Sequence, residues 1–600
     1  MYDIIVQYRQ TNQTSIHKFG MESEQENDSS RFDIMYSDDT LIALGKKHNG
    51  INYCDLYKGN EYVVFIAGTV LARIHTGKSF FDASDIAAQK RSDELDYSAF
   101  KGNFTLFIYH RYSKVLEIFS DPIGLCPVYI GEQDSTVFLS SNLNELKAVN
   151  DSIDYTTVLE KLVFTYPITS QSFLRNFEFI EPGTYYRIHR SKIEKTRIFD
   201  LNGLLFRNEE KQFRNEDLAE IVNYNVRQSA SLVDTPLITL TGGFDGRTIV
   251  SSMLRQNLSF HSFSFGRQGG ENTQVPLKLA KDFDISYEPV YLDEDYEKNY
   301  PFLALKAIEQ SDGLSKFERA NYSYTTHRLS YLSPILISGL IGGELLGILF
   351  NKTDYFNENY FDWIYNGEST NIEGSLKDKG VSQFISKDQL KVFQDSLNER
   401  IQEHRDRISW LKQGKYGYLY YLYDLISLGF RRFYGGQIHQ ERYHYENIPP
   451  LFDIDILNYL FSTNFKERYK YSFTNKKIYK LFSRRPQSEL IHHNFPGLAD
   501  KKVDRGFPPK YLLNSAYYPL AFWLLSKRNR SKRVREFTSD RWSKLFYDYL
   551  LDKNISLNAF FNQEEIFRYM REYEPNNYNQ EFNNLLSIAV WTSTNETYHP

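Results

Sequence analysis

Two stretches of the chain, PLITLTGGFDGRTIVSSMLRQ (Pro236–Gln256) and SPILISGLIGGELLG (Ser333–Gly347), run from a short apolar strand through a glycine-rich turn into a helical pattern. An apolar strand that leads straight into a helix can pair with its neighbours only by a crossover, which makes the sheet parallel. Between the two stretches lie SFHSFSFG, a second apolar strand, a helical pattern around Thr273 to Phe283, and SYEPVYL, a third strand. This alternation predicts an α/β domain with a parallel sheet.

The chain ahead of this domain has a different texture. From Tyr2 to about Ile198 it shows short alternating or apolar runs broken by polar turns: IIVQY, EYVVFIAGTVL, FTLFIYHRY, VLEIFS, CPVYIG, TVFLSS and TYYRIH. Strands at this spacing predict antiparallel sheets. At 600 residues the chain is too long for one hydrophobic core, and the change of texture places the boundary near residue 205, giving domains 1–205 and 206–600. A periodic polar-apolar stretch from Asn215 to Leu232 predicts a helix at the start of the second domain, and from Asp354 onward the sequence reads mainly helical, with a polar insertion at Asn366–Gly380. Met21 to Arg31 reads as a polar surface loop.

Apolar residues at 41% and charged residues at 24% match ordinary globular usage, and the 16% of aromatic residues is read as packing rather than as a binding surface. A net charge of -5 with dispersed Lys and Arg offers no footprint for nucleic acid or an anionic membrane. The basic run Ser526–Glu536, SKRNRSKRVRE, reads as a solvated face or a polyanion contact, the first being the default. Two cysteines, Cys54 and Cys126, lack disulfide or zinc spacing, and no stretch approaches the about 20 apolar residues of a membrane span. A soluble, cytoplasmic protein is expected.

The first glycine turn, Leu240-Thr241-Gly242-Gly243-Phe244-Asp245-Gly246-Arg247, has the elements of a phosphate site. Backbone N–H groups at a helix start stabilise an anion, glycines allow close approach, and Thr241 adds a hydroxyl. Asp245 could hold a magnesium ion bridging phosphate oxygens, and Arg247 could fork onto phosphate. Taken alone, such glycines equally suit a tight packing turn.

The order of these elements resembles the ATP-pyrophosphatase superfamily in its asparagine synthetase branch. Thr241-Gly242-Gly243-Phe244-Asp245 is similar to its Ser-Gly-Gly-x-Asp loop, and Ser262-Phe263-Ser264-Phe265-Gly266 to the strand beside the adenosine. Ser338-Gly339-Leu340-Ile341-Gly342-Gly343-Glu344-Leu345-Leu346-Gly347 resembles Ser-Gly-x-Gly-x-Asp-Glu-Leu-Phe-Gly. Glu446–Asp453 and Arg505-Gly506-Phe507-Pro508 are similar to the Glu-x-Arg-x-Pro-Phe-Leu-Asp and Lys-x-Gly-Phe-x-x-Pro regions. In the first domain, Phe100–Phe104 with Asp121, Gly124, Pro127 and Tyr129, then Phe138–Leu146 and Glu181–Tyr186, resembles a class II glutamine amidotransferase domain.

The resemblance implies an N-terminal Ntn-hydrolase-like α+β sandwich followed by a parallel-sheet α/β ATP-pyrophosphatase domain with a largely helical C-terminal part. It implies an amide-forming ligase that uses ATP and magnesium: a small-molecule or peptide carboxylate becomes an acyl-adenylate, pyrophosphate leaves, and an amine attacks. The implied ATP and pyrophosphate residues are Leu240, Thr241, Gly242, Gly243, Asp245, Gly246, Arg247, Phe265 and Gly339, with Asp245 the metal ligand. Glu344 takes the catalytic glutamate position and would orient or deprotonate the amine. A late lysine is expected near Asp504, and Lys502, or Lys501 beside it, is the candidate. A homodimer or a pathway protein is the expected partner.

Three departures from the family pattern bear on activity. Tyr2 stands where glutamine-using members have the nucleophilic cysteine, Ala67-Gly68-Thr69 replaces the glutamine-holding Asn-Gly-Glu, and Gly343 replaces the second metal-associated aspartate. The first domain is therefore expected to lack glutaminase activity, leaving ammonia or a substrate amine as the nitrogen source. The alternative is a degenerate homologue that binds a nucleotide or serves as a scaffold.

Overall fold

Along β5 (Tyr62–Ala72) the side chains divide between two cores, as a pleated strand requires. Val63, Phe65 and Ala67 join one apolar cluster, while Val64 and Ile66 join another. The computed structural model describes residues 2–9, 33–47, 54–190, 192–208, 211–347, 358–413, 415–471, 483–521, 523–524, 539–574 and 577–593. The segments Met21–Arg31 and Ser526–Glu536 lie outside them.

The other antiparallel strands are β1 (Tyr2–Arg9), β2 (Asp33–Ser37), β3 (Leu41–Lys47), β4 (Cys54–Lys58), β6 (Phe100–His110), β7 (Val115–Ser120), β8 (Tyr129–Gln133), β9 (Thr136–Ser140), β10 (Phe177–Phe179), β11 (Thr184–His189) and β12 (Lys192–Arg197). They form two six-stranded sheets, ordered β10-β8-β9-β1-β3-β2 and β12-β11-β7-β6-β5-β4. Ile4, Val6 and Tyr8 of β1 face Phe65, Phe107 and Ile118 of the other sheet in one buried cluster, so the sheets are the two halves of a sandwich. The outer face of the second sheet is covered by the helix Ala83–Arg91. Asp82 starts that helix with a capping box, accepting from the backbone N–H of Asp85 while the Asp85 carboxylate accepts from that of Asp82. The outer face of the first sheet, through Ile5, Leu44 and Phe138, merges with the core of the rest of the chain.

Within the second sheet Glu117 is gripped by Lys90 (2.8 Å) and His110 (3.0 Å). Burial alone would raise its pKa, but the hydrogen bonds from His110 and Lys90 and the Lys90 charge hold it down at about 2. The stability it contributes is therefore complete above the ordinary carboxylate range and is lost as pH falls toward 2. Denaturant melts of wild type and Glu117→Gln should differ at pH 7 and converge in acid; a gap independent of pH would refute this role.

After Arg197 the architecture changes. Strands β13 (Leu237–Thr239), β14 (His261–Gly266), β15 (Tyr287–Tyr291), β16 (Ile335–Ile337) and β17 (Glu446–Ile448) make one parallel sheet, ordered β15-β14-β13-β16-β17. The helices Asn215–Ala230, Asp245–Arg255 and Glu271–Phe283 lie where the periodicity predicts them. The region beyond residue 358 is mainly helical, and the polar insertion holds a helix of its own at Ile372–Asp378. One strand in this region was not expected: β17, whose Glu446, Asn447 and Ile448 pair with Ile335, Leu336 and Ile337 of β16. Among the described residues no helix is long and apolar enough to cross a membrane.

Candidate functional site

Strands β13 and β16 are parallel neighbours, so both glycine turns emerge at the same carboxyl edge of the sheet, where α/β sheets place their ligands. They touch. A Cβ added to Gly339 would lie 2.5 Å from the carbonyl carbon of Asp245 and 2.7 Å from its oxygen, so only glycine lets the second turn lie against the first. The late segment completes the contact: the Asp504 N–H donates to the Gly242 carbonyl (2.8 Å), and a Cβ on Gly242 would meet that of Asp504 at 2.8 Å. Phe507 packs toward Phe244, and the Arg505 guanidinium lies 6.0 Å from the Phe244 ring.

Within the first turn the residues divide between packing and access. Leu240 is buried, its N–H donating to Phe263 (2.8 Å). Gly246 is buried against β13, where a Cβ would run into the Thr239 carbonyl. Arg247 is fully buried, and its guanidinium donates to the carbonyls of Leu498 (3.2 Å), Lys501 (2.6 Å) and Lys502 (3.1 Å). Burial pushes its pKa down to about 10. Arg247 thus clamps the late segment to the helix, while Gly246 packs against β13. The accessible part of the turn is Thr241, Gly243 and Asp245. A Cβ on Gly243 would meet only the Thr241 hydroxyl, at 3.5 Å, so this backbone is open to approach.

The second turn carries backbone strain. Ile341 stands where the resembled family has glycine, yet its φ is 64°. A β-branched residue in this region is a genuine outlier, disfavoured by about 1–2 kcal/mol, and full burial of its side chain offsets that cost. The strained residue starts the short helix Gly342–Leu345 and so aims Glu344, whose Oε1 accepts from the Tyr434 hydroxyl at 3.0 Å. Phe265, on the neighbouring β14, is half-buried and meets Tyr322 edge-on at 5.6 Å. Of the two late lysines, Lys501 is turned to Asp282 (2.7 Å), while the Lys502 side chain is exposed.

Sequence reasoning missed Arg484 and Gln487. Gln487 Nε2 donates to Asp245 Oδ1 (2.5 Å), and Arg484 Nη1 lies 3.7 Å from the same oxygen. A Cβ on Gly343 would run into that Arg484 nitrogen and lie 2.8 and 3.1 Å from the Asp245 carboxylate oxygens. The place where a second aspartate would complete a magnesium site is thus filled by a guanidinium. Magnesium requires oxygen ligands in near-octahedral array, and a neighbouring cation repels it. As they stand, the residues around Asp245 do not fit a protein-held magnesium ion. Among the described residues no group of three or more His, Cys, Asp or Glu is arranged to hold a metal.

In the first domain, the residues of the amidotransferase-like run make structure. Asp121 Oδ1 accepts from the N–H groups of Ile123 (2.9 Å) and Gly124 (2.5 Å), and burial raises its pKa to about 6. Tyr129 donates to Asp312 of the second domain (2.9 Å). Ala67-Gly68-Thr69 lies in β5 and pairs with Thr105, Phe104 and Asn103.

The sequence model of the glutamine amidotransferase domain family matches residues 86–199. That span includes Asp121, Gly124, Pro127 and Tyr129 but begins after Tyr2 and Ala67–Thr69. Two solved structures are similar to the chain. One is described as the allosteric regulatory enzyme of purine biosynthesis (13% identity, 41% of this chain and 51% of that one covered, TM-score 0.19). The other is glutamine phosphoribosylpyrophosphate amidotransferase from B. subtilis complexed with ADP and GMP (12% identity, 41% and 51% covered, TM-score 0.18). The chain therefore spans about half the length of each. No curated protein sequence matches.

Proposed function

We propose that the second domain binds ATP at the paired glycine turns and forms an amide by way of an acyl-adenylate, as the resemblance to asparagine synthetases implies. The observation that carries this reading is the meeting of three separate sequence motifs at one sheet edge: Gly339 against Asp245, and Asp504 on Gly242. Thr241 and the Gly243 backbone would receive phosphate oxygens, with the helix Asp245–Arg255 contributing the positive end of its dipole. Phe265 and Gly266, at the end of the adjacent strand, would lie on the adenosine side. A carboxylate of a small molecule or peptide attacks the α-phosphorus and pyrophosphate leaves; an amine then attacks the acyl carbon of the acyl-adenylate and AMP leaves. Glu344, oriented by Tyr434, would accept the proton of the attacking amine. Magnesium has no step in this scheme, because Asp245 is engaged by Gln487 and Arg484.

The first domain supplies no nitrogen in this reading. It carries Tyr2 and Ala67-Gly68-Thr69 at the positions where glutamine chemistry needs a nucleophile and substrate-holding groups. Tyr2→Cys by itself is expected to release no ammonia from glutamine above background, since Ala67 and Thr69 still offer nothing to the substrate's charged end. Glutamine hydrolysis by the single variant, or by wild type, would show that the domain is active. The remaining nitrogen sources are ammonia and an amine on the substrate, in a cytoplasmic setting.

A second reading, a catalytically silent nucleotide-binding or scaffold subunit, is favoured by the Asp245–Arg484 contact and by the commitment of Lys501 to Asp282. Exchange of labelled pyrophosphate into ATP separates the two when run over a panel of carboxylates. Carboxylate-dependent exchange that Glu344→Gln retains while it loses amide formation supports the ligase. ATP binding with no exchange across the panel supports the scaffold.

A further inference from the structure

We propose that Arg484 provides, beside Asp245, the positive charge that a magnesium ion would otherwise bring, so that the paired glycine turns take a polyphosphate anion without a divalent cation. This rests on the nucleotide reading above and goes beyond it by naming the state of the ligand, free ATP or pyrophosphate rather than its magnesium complex.

Charge balance leads to this inference. Two carboxylates around a dication sum to zero before phosphate arrives. Here Gly343 has removed one carboxylate, and the remaining Asp245 faces a single guanidinium, which also sums to zero. The bare backbone at Gly343 is what leaves room for the Arg484 guanidinium beside Asp245. Arg484 Nη1 stands over the bare backbone of Gly343 and Gly347, where a side chain at 343 would run into it. Its position is set by Gln487, whose Oε1 accepts from Nη1 (3.0 Å) while its Nε2 donates to Asp245. Both residues belong to the start of one helix, Arg485–Asn494, with Arg484 as its N-cap residue and Pro486 in its first turn. The Arg484 side chain keeps 22% of its surface exposed and Asp245 keeps 45%, so the pair borders solvent and can be reached. A guanidinium stays charged at any physiological pH and presents a planar fork of donors that suits phosphate oxygens. On a leaving pyrophosphate it would stabilise the same developing charge that a metal stabilises.

The test is calorimetric titration of the full-length protein with ATP and with inorganic pyrophosphate, in buffer holding magnesium and in buffer holding EDTA. Wild type is expected to bind in both, with affinities within about 3-fold. Arg484→Met should weaken binding in EDTA by about 10-fold or more, the loss of one charge-assisted contact. Gly343→Asp alone should not create metal dependence, because the new carboxylate would pair with Arg484. Gly343→Asp with Arg484→Met should bind ATP only when magnesium is present. Wild-type binding that EDTA abolishes overturns the role of Arg484 and leaves the nucleotide reading intact; this comparison needs no variant. Absence of binding in both buffers, by protein whose thermal melt is cooperative, overturns both.

Discussion

Lys101→Met is expected to lower the denaturation midpoint by the equivalent of about 3–5 kcal/mol, the range for breaking a buried ion pair from one side. Lys101 lies on β6 of the antiparallel sandwich with only 1% of its surface exposed, yet its partners come from the chain beyond Arg197. Its ammonium donates to Asn225 (2.7 Å), lies 3.3 Å from Asp453 and 3.0 Å from Asp455, and sits 5.3 Å over the Tyr224 ring. Arg73 also reaches Asp455 (2.9 Å), so two cations of the first domain hold two carboxylates just past β17. Without Lys101, Asp453 would be left buried beside a like charge. Burial already raises its pKa, and the Asp455 charge raises it further, while Lys101 opposes both. With its pKa raised still more in the folded state, Asp453 would cost most stability at neutral pH, and the deficit would shrink in acid as it takes up a proton. Urea melts at pH 7 and pH 5 measure this directly. Adding Asp453→Asn should recover part of the loss, since an amide can remain buried without charge. A deficit below about 1 kcal/mol at pH 7 would mean that the domains do not depend on this lock.

The second large effect concerns two glycines of one turn. In Gly246→Ser the new Cβ would run into the Thr239 carbonyl and lie 3.4 Å from the Leu240 Cα. The obstruction is backbone, which cannot swing aside as a side chain can. We expect a loss of about 3 kcal/mol, the upper end for overpacking, together with loss of nucleotide binding as the helix start shifts. Gly243→Ala is the contrasting variant. Its Cβ would make only an ordinary contact with the Thr241 hydroxyl, so thermal stability should stay within about 1 kcal/mol of wild type. Its affinity for pyrophosphate should nevertheless fall about 10-fold, because the methyl group covers the backbone that a phosphate approaches. Equal stability losses in the two variants would show that the turn is a packing device throughout.

These contrasts show where reading the sequence succeeds. The strands β13, β14, β15 and β16 and the helices between them were legible because apolar runs, glycine turns and helical periodicity are local signals. The alternation in β5 and β6 likewise announced antiparallel sheets, and the family match at residues 86–199 includes β6. β17 was not legible. Glu446-Asn447-Ile448 has no strand pattern of its own, and its conformation follows from pairing with β16 across a long sequence separation.

What the sequence by itself determined was the alphabet of the site: which turns carry glycine, where Asp245 and Glu344 stand, and that Tyr2 and Gly343 are not what glutamine and magnesium chemistry require. Only the tertiary structure decided which of these residues are accessible and which are buried. Arg247 and Gly246 turned inward because the carbonyls of Leu498, Lys501, Lys502 and Thr239 lie against them. Arg484 and Gln487 became part of the site because a distant helix begins beside Asp245. The physical reason is one of range. Backbone preference and hydrophobic period act over a few residues, whereas a buried guanidinium or carboxylate takes its role from whichever charges and dipoles the fold brings within about 4 Å.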